Sequence, residues 1–218
     1  MHKCLVAVVL ICAFANNTAA RATEVPISGD QVQLSVTLPT GVCLPDAKEI
    51  QRFERVTSAM DKTDLDLHIF LTCKNGRFTS PKDDYIMLQA KRSQTFNFVG
   101  RLFAMTTIDG RVKSQLPAID KKAMDSQVNR KIKNKLGIDP GVDMTFGYLG
   151  RDDVCVYAGG RMSFDPKLQV TPGIVVNCFS AAAGREIAIS RYNYAPTANF
   201  SDLMKQARTI MASIHQVN

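Results

Sequence analysis

Tryptophan is absent from the 218-residue chain, and histidine occurs only three times. Also missing are a G-x-S-x-G nucleophile elbow, an H-E-x-x-H zinc frame and the phosphate-binding loops G-x-x-x-x-G-K-S/T and G-x-G-x-x-G. These motifs mark many serine hydrolases, zinc hydrolases and nucleotide-binding proteins. Their absence indicates no cofactor and favours a protein that binds a partner over an enzyme.

Long apolar runs are missing as well, except near the N-terminus. Leu5 to Ala15 is apolar, but the run is shorter than the roughly 20 residues that a membrane-spanning helix needs. Lys3 precedes it, and Ala20-Arg21-Ala22 offers the small residues of a cleavage site. Residues 1–22 are therefore predicted to be a signal peptide, with an uncleaved anchor as the alternative. Residues 23–218 contain no repeat or linker and are predicted to form a single α+β domain.

The predicted export would place the cysteines in an oxidising compartment, where disulfides form. Six are present in the chain, and those outside residues 1–22 are Cys43, Cys73, Cys155 and Cys178. None of these four has the C-x-x-C spacing of a zinc knuckle. An even number in an oxidising compartment predicts two disulfides, with free buried thiols as the alternative. Three pairings are possible, and proximity in the sequence favours Cys43 with Cys73 and Cys155 with Cys178.

Alternation of polar and apolar residues predicts three strands in the first half of the chain. Gln31–Leu38 and Leu65–Cys73 alternate cleanly, as half-buried strands do. Asn75-Gly76 predicts a tight turn after the second of these, because Asn-Gly accepts positive φ. Asp84–Ala90 alternates less well and is predicted to be a short strand.

Helical spacing occurs in four segments. Asp46 predicts the N-cap of the first helix, and Glu49 completes a capping box. Ser93–Thr107 fits a helix or a strand, and its length favours a helix. Residues 117–136 are predicted to be a helix that begins at a proline, and Asn199–Ile214 is predicted to be a helix with a continuous apolar stripe. The apolar stripe of the first helix is expected to comprise Ile50, Phe53, Val56 or Thr57, and Met60.

The region Asp143 to Tyr194 contains four apolar runs separated by turn-forming clusters. The short connections predict an antiparallel meander, because sequence neighbours joined by hairpins pair with each other. Gly159-Gly160 indicates a bulge or a close backbone approach. The predicted fold class is therefore α+β, an α/β sandwich in which an antiparallel sheet, formed by this meander and the N-terminal strands, is flanked by helices. The clusters predicted to form the turns between the four strands of the meander are Gly150–Asp153, Asp165–Lys167 and Ala183–Arg185.

One group of residues could bind a metal ion. In a regular strand Asp64, Asp66 and His68 share one face, with adjacent side chains about 7 Å apart, which is within reach of one cation. Such a site would suit a metal-dependent or hydrolytic enzyme. The alternative is a solvated sheet face on which the histidine is incidental. Cys73 would point to the opposite face, which argues against a Cys-His catalytic pair.

The predicted helix 117–136 carries the main cluster of basic residues. It could contact anionic lipid headgroups or an acidic protein, whereas an ordinary solvated face is the alternative. Its narrow apolar stripe without Trp or Phe argues against membrane insertion. The formal charge of +7 falls to +5 without Lys3 and Arg21, and this modest value argues against a nucleic-acid partner. The basic residues are Lys121, Lys122, Arg130, Lys131, Lys133 and Lys135.

The order of elements resembles that of a known superfamily. The resemblance rests on the amphipathic segment Val32–Gly41, on Ile187–Pro196 and on the following helix from Phe200 to Ile214. This order resembles the Mog1/PsbP-like α/β sandwich, in particular small exported proteins of Gram-negative bacteria, although the basic helical middle is longer than that pattern. The resemblance implies a binding or assembly-accessory role in the periplasm or outside the cell, with a protein or an envelope component as partner and without catalytic residues.

Overall fold

Antiparallel pairing accounts for every strand contact in the part of the chain that the structure describes. The structure is a computed structural model. It confirms the predicted α+β class, an antiparallel sheet flanked by helices. The described residues are 23–30, 32–57, 64–74, 77–78, 84–96, 100–118, 125–126, 129–130, 133–134, 137, 139, 141–168 and 171–217.

Two sheets are present in these residues. The small sheet consists of β1 (Thr23–Ile27), β2 (Leu34–Leu38) and β11 (Ile214–Gln216), with β2 in the middle. The strands of the large sheet lie in the order β3-β4-β6-β10-β9-β8-β7, and β5 pairs with β4. These strands are β3 (Val42–Cys43), β4 (Leu65–Lys74), β5 (Arg77–Phe78), β6 (Asp84–Lys91), β7 (Asp143–Arg151), β8 (Val156–Ser163), β9 (Gly173–Ala182) and β10 (Arg185–Asn193).

Helices cover both faces of the large sheet. The helices whose bounds are described are α1 (Ala47–Thr57), α2 (Arg101–Ala118) and α3 (Phe200–Ala212), and Pro166–Leu168 forms a 3₁₀ turn. One face packs against α3 and the small sheet through a buried cluster that includes Leu203 and Ile189. The other face packs against α2 through a second cluster that includes Ile108 and Val156. None of the described helices is long and apolar enough to cross a bilayer.

The predicted meander and terminal helix are confirmed. Strands β7 to β10 follow one another in space as they do in sequence. The side chain of Asn199 accepts a hydrogen bond of 3.0 Å from the backbone N–H of Asp202, which caps α3 and explains where it begins. Leu203, Ala207 and other apolar residues of α3 are buried against the sheet.

Both disulfides join the cysteines paired in the sequence interpretation. Cys155 and Cys178 are fully buried, with their Cα atoms 5.2 Å apart. Cys43 links the edge strand β3 to Cys73 on β4, with a Cα separation of 6.2 Å. The two crosslinks therefore hold the middle of the meander and one edge of the large sheet.

The predictions for the middle of the chain were partly wrong. The segment from Ser93 to Phe96 is not helical; the backbone N–H groups of Thr95 and Phe96 donate to the carbonyl of Gly184, which fixes this segment to the β9–β10 turn. Helix α2 begins only at Arg101 and continues through Pro117, which therefore lies near the end of a helix rather than at the start of the next. Packing of the apolar side of α2 on the sheet outweighs its weak local signals.

The strand and the helix predicted near the N-terminus are both present, but their bounds and the buried face of the helix differ from the prediction. Strand β2 begins at Leu34 because the residues before it form the β1–β2 turn, where Arg185 donates to the carbonyls of Ile27 and Val32. The Asp46 cap is confirmed by its 2.9 Å hydrogen bond from the N–H of Glu49. The stripe of α1 is wrong at Ile50, which is 45% exposed. Since α1 follows an edge strand, its contact with the sheet is made by Phe53, whose ring lies 5.3 Å from that of Tyr85. Val56, Thr57 and Met60 lie outside the residues whose side chains are described.

Glycine pairs show where the backbones come closest. A Cβ atom on Gly160 would overlap the carbonyl of Thr145 on the neighbouring strand, which confirms the close approach inferred from Gly159-Gly160. The bulge itself lies on β7, where the register shifts between Tyr148 and Gly150.

Candidate functional site: a pocket between α2 and the sheet

A pocket of about 500 Å³ lies between the second half of α2 and the large sheet. We call it the α2 pocket. The described residues that line it are Arg111, Val112, Gln115, Leu116, Met144, Phe146, Ala158, Asn177, Phe179 and Glu186.

Helical spacing places the roof of the pocket. Arg111 and Gln115 lie one turn apart on α2, and so do Val112 and Leu116, so the four side chains share one side of the helix. Val112 is buried against the sheet, while Gln115 is exposed at the pocket rim. The roof is thus apolar beneath the helix and polar at its edge.

The alternation of side chains along the strands builds the floor. Met144 and Phe146 lie two residues apart on β7 and therefore point to the same face. Ala158 on β8 pairs with Asn177 on β9, and Phe179 follows two residues later on the same strand. A small residue at Ala158, beside large neighbours, leaves room above the middle of the floor.

A charged pair closes one end of the pocket. Arg111 Nη2 donates a hydrogen bond to Glu186 Oε1, joining α2 to β10. The second carboxylate oxygen of Glu186, Oε2, is buried and accepts no hydrogen bond from the described residues. This orphaned acceptor is unusual, because buried carboxylate oxygens normally have partners.

Asn177 provides a second polar group in the pocket. It lies on β9, an interior strand of the large sheet, and is half-buried. Its side-chain amide has no hydrogen-bond partner among the described residues. Glu186 pairs with Ala181, which is four residues from Asn177 along β9. At the rise of a β-strand this places the two polar groups about 13 Å apart along the strand direction, with the Phe179 ring between them.

The chemistry of the α2 pocket is that of a binding site. Its described lining contains no serine, cysteine, histidine or lysine, and Glu186 is its single carboxylate. Apolar walls with a few polar groups are typical of ligand pockets.

The residues proposed as a metal site are only partly brought together. The His68 ring lies 2.8 Å from Asp66 Oδ2, which also accepts from the backbone N–H of Ser28. Asp64 instead accepts hydrogen bonds from the backbone and hydroxyl of Ser93. In the described part of the chain, no three His, Cys, Asp or Glu side chains are grouped as a metal ion requires.

The Asp66–His68 pair is electrostatically coupled to its surroundings. Burial would raise the pKa of Asp66, but the hydrogen bonds and charge of His68, together with the N–H of Ser28, lower it below the ordinary value. The His68 ring is also stacked near that of Phe70, at 6.2 Å between centroids. Through Ser28, the pair thus joins the β1–β2 turn to β4.

The predicted basic helix is described only in part. Asp125, Ser126, Asn129, Arg130, Lys133 and Asn134 are helical, in agreement with the prediction. Arg130 and Lys133 are exposed, and Lys133 Nζ lies 3.5 Å from Asp139. The other basic residues named for this surface lie outside the described residues, namely Lys121, Lys122, Lys131 and Lys135.

A second cavity, of about 490 Å³, lies beneath α3. Arg191, which is 1% exposed, lines it. Its guanidinium forms an ion pair with Asp84 and donates to Gln206 at 2.8 Å. Because these charged groups are already partnered, they offer less to a ligand than the orphaned oxygen of Glu186.

The sequence interpretation missed the residues of the α2 pocket. Glu186 lies at the start of β10, just before the apolar residues Ile187 to Ile189, and Asn177 lies between Val176 and Cys178 on β9. A polar residue within a buried strand was the available signal. Its use would have required knowing that both residues face α2.

No protein-family model and no curated protein matches the sequence. Among solved structures, the chain is similar to cyanobacterial PsbP (CyanoP) from Synechocystis sp. PCC 6803, with 10% identity, a TM-score of 0.40 and coverage of 92% of this chain and 96% of that chain. It is also similar to a mutant Mog1 protein, with 8% identity, a TM-score of 0.35 and coverage of 90% and 97%. A third is the Ran-binding protein Mog1p of Saccharomyces cerevisiae, with 9% identity, a TM-score of 0.32 and coverage of 89% and 95%. The expected resemblance to the Mog1/PsbP-like sandwich is thus confirmed as a weak resemblance of topology.

Proposed function

We propose that the protein is an exported, non-enzymatic binding or assembly-accessory protein, and that the α2 pocket is its binding site. The observation that carries the proposal is the pocket itself, since its described walls are mostly apolar and hold no set of catalytic groups. The partner is a protein or another component of the cell envelope that inserts an apolar group beneath α2.

The energetics of burial support an apolar anchor. Fully burying one large apolar side chain contributes about 1.5 to 3 kcal/mol, and aromatic anchors in pockets often dominate protein interfaces. The α2 pocket offers Phe146, Phe179 and Leu116 as contacts for such a group. A single inserted group would thus supply a useful share of a micromolar affinity, which corresponds to about 8 kcal/mol.

The two disulfides support export. Disulfides persist in oxidising compartments such as the periplasm and the extracellular space. Removal of residues 1–22 as a signal peptide would leave a mature domain that begins at Thr23, the first residue of β1. We place this domain, residues 23–218, in the periplasm or outside a Gram-negative cell. N-terminal sequencing of protein from the periplasmic fraction should start at Thr23, and an intact Met1 there would contradict cleavage.

A matched pair of variants on one helix tests the binding site. Leu116→Asp places a charge on the pocket wall, whereas Leu102→Asp makes the same change on α2 outside the pocket, at a side chain that is 76% exposed. Purified wild-type and variant proteins are cross-linked to solubilised envelope extract, and the captured components are compared by mass spectrometry. Melting temperatures verify that both variants are folded.

The proposal predicts a component that is captured by the wild type and by Leu102→Asp but lost with Leu116→Asp. Capture that is equal for all three proteins would place the interaction elsewhere. The absence of any component above background would contradict a binding role in the envelope.

A further inference from the structure

We infer that the α2 pocket selects an elongated, uncharged apolar ligand that ends in a hydrogen-bond donor, and that Glu186 recognises this donor. The inference rests on the proposed binding function and names the chemistry of the group bound. It follows from the orphaned oxygen of Glu186, the neutral charge of the Arg111–Glu186 pair and the position of Asn177.

The unpaired oxygen provides the recognition element. An ionised carboxylate accepts hydrogen bonds and donates none. Arg111 donates to Oε1, whereas Oε2 has no hydrogen-bond partner in the described part of the chain. A buried acceptor without a partner is unfavourable, so a ligand that donates to it gains more than one meeting a solvated group. A ketone or ether oxygen at the same place is itself an acceptor and would form no hydrogen bond with Glu186 Oε2.

The carboxylate can reach the pocket by a small movement. Glu186 lines the α2 pocket, and the terminal torsion of a glutamate side chain has a broad energy profile. A partial rotation about this torsion would turn the buried Oε2 towards the pocket. The guanidinium keeps the carboxylate at this end of the pocket.

The charge balance disfavours a charged ligand. Arg111 and Glu186 carry opposite charges that cancel, and the described lining has no other charged residue. A carboxylate or an ammonium group on the ligand would bring an uncompensated charge beside apolar walls, which is unfavourable in a poorly solvated site. A hydroxyl or amide N–H satisfies Glu186 without this cost.

The spacing of the polar groups sets the shape of the ligand. Glu186 and Asn177 are separated by about 13 Å along the strand, and the surface between them is formed by Phe179 and Ala158. An extended apolar chain therefore lies along the floor with its donor at Glu186. The Asn177 amide can accept or donate, so the far end is less selective.

Two eight-carbon compounds that differ in their polar group test the inference. Both 1-octanol and 2-octanone are uncharged and chain-like, but only the alcohol can donate a hydrogen bond. Dissociation constants for the wild-type protein, purified after export, are measured from amide chemical-shift titrations. We expect 1-octanol to bind about tenfold more tightly than 2-octanone, the difference typical of a hydrogen bond to a charged group. We also expect octanoate to bind more weakly than 1-octanol.

Glu186→Gln is the key variant, because it keeps the size of the side chain and removes the charge. The preference for 1-octanol should fall below about threefold, since the new amide can donate to the ketone. Glu24→Gln makes the same substitution at an exposed position on β1 and should keep the wild-type preference.

Each outcome separates the two proposals. Equal binding of alcohol and ketone to the wild type, or tighter binding of octanoate, overturns donor recognition but leaves the α2 pocket as an apolar binding site. A preference that survives Glu186→Gln also overturns the role of Glu186. Failure of all the compounds to bind overturns both the inference and the proposed use of the pocket.

Discussion

Arg111 on α2 donates a hydrogen bond to Glu186 on β10, across 75 positions of the sequence. This contact adds a polar link to the apolar packing between the helix and the sheet, and it leaves the other, buried oxygen of the carboxylate unpaired among the described residues. The same residue pair thus serves the packing of the fold and forms the polar end of the proposed binding site.

The connection between β7 and β8 depends on Asp152. Its carboxylate accepts 2.7 Å hydrogen bonds from the backbone N–H groups of Val154 and Cys155 and from the Tyr157 hydroxyl. Asp152→Ala leaves these donors unpaired and should lower the free energy of unfolding by about 3 kcal/mol in urea denaturation. Asp153→Ala is the matched control, because Asp153 is 78% exposed and contacts only the side chain of Arg208 among the described groups; it should cost less than about 1 kcal/mol. Equal losses would contradict this account of the loop.

Pairing of β7 with β8 requires glycine at position 160. A methyl group there would overlap the carbonyl of Thr145, so Gly160→Ala should destabilise the protein by about 2 to 3 kcal/mol. Gly147→Ala, on the facing strand, should change stability by less than about 0.5 kcal/mol, because its Cβ meets no described atom within 4 Å. Thermal unfolding monitored by circular dichroism compares the two. A Gly160→Ala variant as stable as the wild type would show that β7 and β8 can move apart at this position without loss of stability.

The two disulfides should differ in their resistance to reduction. Cys155 and Cys178 are buried in the main core, whereas Cys43 and Cys73 are only half-buried at the edge of the large sheet. A mild reductant followed by alkylation and peptide mass analysis should therefore modify Cys43 and Cys73 first. Replacing Cys155 and Cys178 together with alanine should lower stability by about 3 kcal/mol, as expected for closing a loop of this length. Earlier modification of the buried pair would contradict the packing described.

Much of the fold was accessible from local patterns in the sequence. The meander was predicted correctly because its strands contain apolar runs joined by short turns, and α3 because its stripe is continuous. Strands β1 and β11 were missed. Each is short and becomes a strand only by pairing with β2, which the sequence of either segment does not reveal.

Long-range contacts explain the remaining errors. Arg185 was assigned to a turn. In the structure it is the first residue of β10 and is fully buried, because its guanidinium donates to backbone carbonyls that include those of Ile27 and Val32. The α2 pocket was not predicted because Arg111 and Glu186 lie far apart in sequence, and only the folded chain brings them together. Local periodicity predicts elements well and says little about such pairs.

Acid should weaken the contact between the β1–β2 turn and β4, which Ser28 and Asp66 form. Burial raises the pKa of Asp66, but its hydrogen bonds with His68 and with the N–H of Ser28 lower it more, so the pKa lies below the ordinary value of an aspartate. A carboxylate with a lowered folded-state pKa contributes stability above the unfolded pKa and loses it as the pH falls through the folded pKa. The difference in stability between wild type and Asp66→Asn should therefore be full near pH 6 and shrink below about pH 4 in urea titrations. A difference that stays constant down to pH 2 would show that Asp66 acts without its charge.

The most direct test of the account is to locate where an apolar chain binds. Protein purified after export is titrated with 1-octanol, and amide shifts are followed in two-dimensional NMR spectra. The account predicts that the largest shifts fall on the residues of the α2 pocket, among them Val112, Leu116, Phe146, Ala158 and Phe179. Largest shifts around Arg191 in the cavity beneath α3, or no saturable shifts at all, would contradict it.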